Sequence, residues 1–114
     1  MAGIATLFDP ARVRALNDAF RRSLTGGQVV VTAGVAALPE TTRAAVLAAV
    51  RSFDAFTPDN DPLGEHDFGE VEADGARVFW KIDAYDRDLR EHSPDSADLA
   101  VTTKVLTIML AEEY

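Results

Sequence analysis

The chain contains no cysteine. That absence excludes a disulfide framework, a thiolate metal site and a cysteine nucleophile together. No apolar run approaches the length that crosses a bilayer, and the first residues lack the basic start and apolar stretch of a secretion signal. The expectation is therefore a cytoplasmic protein with no membrane role. Basic charge is scarce as well: 11 lysines and arginines stand against 19 aspartates and glutamates, for a net charge of −8. The imbalance is local, with 13 acidic and 4 basic residues between Asp59 and Asp98 but 4 acidic and 6 basic ones in residues 1–58. Such a chain repels phosphate backbones, which disfavours direct nucleic-acid binding and favours a protein partner with a basic surface. Acidic surface that only maintains solubility is the competing explanation.

What is present is 114 residues with 47% hydrophobic content, enough for one core and a single domain spanning 1–114. Asp9-Pro10 reads as a helix start, the carboxylate capping free amides and proline taking the first position, where no donor is needed. Val13, Leu16, Phe20 and Leu24 follow at helical spacing. Arg12, Arg14, Arg21 and Arg22 lie mostly off that stripe and are expected in solvent, and Thr25-Gly26-Gly27 is expected to end the helix with a left-handed cap. Three consecutive valines, Val29 to Val31, predict a central strand covered on both faces. After Leu38-Pro39 a second helix runs to about Asp54, with Val46, Leu47, Val50 and Phe53 on its apolar stripe.

The densest polar chemistry lies between Thr57 and Asp86. Asp74-Gly75 is the strongest short-range hairpin signal in the chain, because a two-residue type I′ turn needs positive φ at both positions. Counting outward pairs Ala73 with Ala76, Glu72 with Arg77, Val71 with Val78, Phe68 with Lys81 and His66 with Asp83. Phe68, Glu70, Phe79, Lys81 and Asp83 then share one face, together with His66, while Val71, Val78, Trp80 and Ile82 share the other. A bulge at Gly69 would exchange the faces of everything before it. From Leu99 onward strand propensity competes with helical periodicity, and the periodicity decides for a helix capped by Asp98. The resulting order is α-β-α-β-β-α, an α+β domain with a small, mainly antiparallel sheet packed with helices.

LNDAFRR (Leu16 to Arg22), VVTAGVAAL (Val30 to Leu38), FTPDNDPLGEHDFG (Phe56 to Gly69), FWKIDAYD (Phe79 to Asp86) and TTKVLTIMLAEEY (Thr102 to Tyr114) cover nearly the whole chain. On these segments it resembles a family of small bacterial proteins catalogued as domain of unknown function 3768. The chain departs from the family pattern at Ala84-Tyr85, where that pattern has two tyrosines before the aspartate, and at His92, where it has no histidine, which weakens any site needing both histidines. The resemblance brings no activity. It implies carriage on plasmids and other mobile elements, a neighbourhood rich in inhibitors of host defence.

Three constellations carry chemistry. Asp59-Asn60-Asp61-Pro62-Leu63-Gly64 with Glu70 follows the spacing of a calcium loop, but Leu63 offers no oxygen at the fifth position and a strand follows instead of a helix. A looser divalent-metal site would use Asp59, Asp61, Glu65, His66 and Asp67. The competing explanation is a rigid loop in which these side chains cap backbone amides. For catalysis, His66 opposite Asp83 has the arrangement of a base and its orienter, with Lys81 or Glu70 as a second proton-transfer group, although no nucleophile is evident. For partner binding, Phe68, Phe79 and Tyr85 form an aromatic centre rimmed by Asp61, Glu65, Glu70, Asp83 and Asp86, the anatomy of a protein interface. The expectation is a small acidic binding or inhibitory protein acting on a basic surface of a host defence or nucleic-acid enzyme, with no cofactor. A metal-dependent or histidine-assisted enzyme centred on the Asp59–Asp67 loop and hairpin is the alternative. Homodimerisation through a strand edge or the last helix is compatible with either.

Overall fold

Asp9 and Pro10 start the first helix as their chemistry requires. In the computed structural model, which describes residues 9–114, α1 (Pro10–Ser23) begins with Asp9 Oδ1 accepting the Arg12 amide at 3.1 Å and proline in the first turn. Its end differs from expectation: the left-handed residue is Leu24, φ 58°, whose N–H bonds the Phe20 carbonyl at 2.7 Å. Leu24 accepts that conformation because its side chain packs against the core.

The chain continues through β1 (Gln28–Val31), a single turn α2 (Ala33–Ala36), α3 (Glu40–Ser52), β2 (Phe68–Ala73), β3 (Ala76–Tyr85), β4 (Thr103–Leu110) and a 3-10 turn, Ala111–Glu113. The four strands form one sheet in the order β1-β4-β3-β2, with β1 parallel to β4 and the other two pairings antiparallel. The protein is thus α+β with a four-stranded mixed sheet, and two parts of the expected order are corrected. The C-terminal segment is not a helix but β4, flanked on both sides and burying Lys104, Leu106, Ile108 and Met109. A strand apolar on both faces has no clean period, so the helical test found order where β-branched propensity held the answer. Asp98, expected as that helix's cap, instead accepts the Ala100 amide at 2.9 Å within a turn. The valine run is the second correction. β1 lies at the edge of the sheet with Val29, Val30 and Val31 38%, 43% and 39% exposed. Consecutive valines report strand propensity, not cover.

The hairpin register holds from the turn out to Phe68 and Lys81. Asp74 and Gly75 take φ of 52° and 80°, and Ala73, Glu72, Val71 and Phe68 pair with Ala76, Arg77, Val78 and Lys81. No bulge interrupts β2. Gly69 lies across from Trp80, and a Cβ there would stand 2.5 Å from the indole Nε1. The glycine therefore makes room for the largest buried side chain. Val71, Val78, Trp80, Ile82, Leu106 and Ile108 face Phe20, Val35, Val46 and Val50 from the helices. Phe68, Glu70, Phe79, Lys81 and Asp83 alternate onto the other face, which no helix covers among the described residues.

Candidate functional site

Two polar residues sit inside the apolar stripe of α1. At 100° per residue Asn17 and Arg21 fall on the side that carries Val13, Phe20 and Leu24, and they are 2% and 0% exposed. Arg21, expected in solvent, donates to the carbonyls of Val50 at 3.1 Å and Phe53 at 2.9 Å, closing the C-terminus of α3. Its guanidinium also pairs with Asp18 at 3.0 Å and lies over Trp80, 5.0 Å from the ring centroid. Arg12 and Arg14 likewise reach backbone carbonyls, those of Ala97 and Gly64. Asn17 bridges two elements: its Oδ1 accepts from Lys104 Nζ at 2.7 Å and its amide donates to the Glu65 carbonyl at 3.0 Å.

The loop between α3 and β2 is held by side-chain caps. Asn60 Oδ1 accepts the Thr57 amide at 2.9 Å, Asn60 Nδ2 donates to the Ala55 carbonyl at 3.0 Å, and Asp61 accepts the His66 amide at 3.3 Å. His66 itself does not meet Asp83. Regular pairing ends at Phe68, and the left-handed backbone of His66, φ 54°, turns its ring toward α1. There it stacks on Phe56 at 3.6 Å, with Nδ1 2.9 Å from Asp18 Oδ1 and Nε2 3.6 Å from Asp61 Oδ2. Asp83 pairs instead with Lys81 on the same strand at 3.2 Å. The expected base and orienter are thus separated. Burial pulls the Asp18 carboxyl upward, but hydrogen bonds from His66 and Arg21 outweigh it and leave the group below its ordinary range. The metal candidates also divide: Asp59 is exposed on a turn, Asp61 stays with His66, and Glu65 and Asp67 turn into a cavity. Among the described residues no three His, Asp or Glu side chains gather as a metal-holding group.

That cavity, about 250 Å³, lies where α1, the end of β3 and the start of β4 meet the loop after β3. Lys104, Asn17, Glu65, Asp67 and Asp83 line it, with His92, Ser93 and Ser96 from the loop. Burial, then the charges of Asp67 and Asp61, push the Glu65 carboxyl up against the opposing pull of Lys104. Asp67 is raised in the same direction, chiefly by burial and then by Asp61 and Asp83, with its own backbone and Lys104 opposing. Burial lowers Lys104, against the pull of those two carboxylates. A larger cavity of about 680 Å³ opens at the other end of the hairpin, near Leu38, Asp74 and Leu110, but there the Asp74 carboxylate is already engaged by Thr42 at 2.7 Å.

The uncovered sheet face joins Phe68 and Phe79, 5.4 Å apart, to Tyr114, which meets both rings edge-on at 5.8 and 5.1 Å. The acidic rim is less free than the sequence suggested. Glu70 is held by Arg77 and Asp83 by Lys81. Asp86 accepts the Arg90 amide at 3.0 Å and so shapes the following loop. Tyr85 stands apart from the aromatic trio, stacked near His92 at 6.4 Å. Sequence reasoning missed Asn17, Asp18, Arg21, Lys104 and Tyr114. Asn17 and Arg21 were detectable as polar residues at stripe positions, and Lys104 as a charge alternating with Leu106 and Ile108 once the segment is read as a strand.

Comparison with known proteins gives one match. Residues 31–113 match the family model described as protein of unknown function DUF3768, and the chain belongs to that family. The match begins at Val31, so it takes in Glu65, Asp67 and Lys104 but neither Asn17 nor the segment LNDAFRR. No curated protein and no solved structure matches the chain.

Proposed function

We propose that this member of the DUF3768 family is a small acidic protein-binding module that docks a partner on its uncovered sheet face. The observation that supports the reading is the aromatic cluster of Phe68, Phe79 and Tyr114 on a strand face that carries no helix layer among the described residues, since apolar aromatic centres dominate binding energy at protein interfaces. The two ion pairs beside it, Glu70 with Arg77 and Lys81 with Asp83, are neutral locally. Preference for a basic partner therefore comes from the long-range field of a chain with net charge −8, which steers approach more than it adds affinity. Inhibition of a host defence or nucleic-acid enzyme in the cytoplasm of a bacterium is the setting that the family resemblance adds to this proposal. The test is capture from a lysate of such cells by the native chain and by a Phe68→Ser, Tyr114→Ser variant. A basic partner held by the native chain, weakened by moderate salt and lost with the variant, is the expected result. A partner retained equally by both overturns the face assignment, and sedimentation of the protein alone separates a foreign partner from a second copy.

The enzyme alternative loses its dyad, because His66 is oriented by Asp18 and Asp61 and not by Asp83. A metal-dependent form of it has no observation in its favour beyond the residue types.

A further inference from the structure

Lys104 is buried with a neutral hydrogen-bond partner and no direct ion pair among the described residues. It is 2% exposed, its ammonium makes one hydrogen bond, to the Asn17 amide oxygen at 2.7 Å, and it forms no ion pair with any described carboxylate. A lysine buried for structure alone is expected against a carboxylate that compensates its desolvation. Glu65 and Asp67, which attract it, line the same 250 Å³ cavity without closing an ion pair on it. Neither carboxylate has a side-chain hydrogen-bond donor among the described residues. An amine, two acids and space between them is the composition of an amine–carbonyl site.

We propose that Lys104 is a reactive amine that forms an imine with a small, uncharged aldehyde or ketone in this cavity. The Nζ lone pair adds to the carbonyl carbon as the carbonyl π electrons move to oxygen. That oxygen takes a proton, and the nitrogen releases one. The carbinolamine hydroxyl leaves as water after protonation by Glu65 or Asp67, and the C=N bond forms from the nitrogen lone pair. The iminium N–H then returns its proton to that carboxylate, so amine and carbonyl become imine and water with no oxidant or reductant. The raised carboxyls and the lowered amine described above both favour the neutral amine and the protonated acid that these steps use. The class of ligand follows from the walls. In the neutral forms that these steps use, Lys104, Glu65 and Asp67 offer no counter-charge to an ion, and the volume limits the ligand to a small molecule. Asn17 is a positioning residue that holds Nζ from the helix side. This inference is independent of the binding face, since neither Phe68, Phe79 nor Tyr114 lines the cavity.

The chain has two lysines, Lys81 and Lys104, which makes the test direct. The whole protein is incubated with propanal and cyanoborohydride, which traps imines as stable secondary amines, and the adducts are mapped by peptide mass spectrometry, native and in urea. The expected native result is an adduct on Lys104 in about tenfold excess over the partly exposed Lys81, with the two lysines reacting alike in urea. Lys104→Met and the conservative Lys104→Arg are both expected to lose that adduct. Modification of Lys81 or the N-terminal amine in preference to Lys104 in the native protein overturns the proposal, as does a native pattern equal to that in urea.

Discussion

Asp67 carries a charge that its surroundings resist. Its carboxyl lies above the ordinary 3.8, raised first by burial, so the folded chain holds that proton more firmly than the unfolded chain does. The resulting preference for the fold is complete below pH 3.8 and disappears as pH rises through the raised value. When ionised, this half-buried carboxylate has no side-chain donor among the described residues. Asp67→Asn is therefore expected to raise the melting temperature at pH 7, on the order of 2 °C once solvent screening is allowed for. The gain should shrink to nothing as the pH is lowered toward 3.8. Thermal melts of both proteins across that range check it, and a gain that persists in acid would locate the effect outside this ionisation. Asp18 has the opposite sign: its lowered carboxyl contributes stability above its ordinary 3.8, lost as the pH falls through the folded value.

Among the elements, α1 does more than cover the sheet. It supplies Phe20 to the core, Arg21 to the end of α3 and Asn17 to Lys104. A chain that starts at Thr25 is expected to lose its cooperative thermal transition, because it would expose Trp80 and Lys104 and leave the last carbonyls of α3 unpaired. Circular dichroism during heating reads this out, and a sharp transition in the shortened chain would mean that the helix is an accessory. Local signals made the starting cap of α1, the run of α3 and the whole β2–β3 register legible, because each depends on residues close in sequence. What failed was set by distant partners. Whether Val29 to Val31 are covered depends on which strand joins them. Whether Lys104 is surface or interior depends on β4 being paired on both sides, and His66 is turned away from Asp83 by contacts with α1. The site residues that the sequence did bring together, Phe68 with Phe79 and Lys81 with Asp83, are those fixed by the hairpin alone.

For the molecule as a whole, charge opposes compactness. A net charge of −8, concentrated between Asp59 and Asp98, is partly self-repelling at low ionic strength. Raising salt from about 20 to about 200 mM is expected to increase the denaturation midpoint, as the screening length falls to about 7 Å. An unchanged or lower midpoint would show that the ion pairs of Arg21, Arg77 and Lys81 outweigh the repulsion. The parallel union of β1 with β4 has a temporal consequence. As the ribosome releases the chain, β1 waits for a partner made after every other strand of the sheet, and the β2–β3 hairpin presents Trp80 before β4 arrives beside it. Sheet closure is thus a late, long-range event in which the newest strand inserts between two older ones, and until then this protein depends on the speed of that insertion to avoid aggregating.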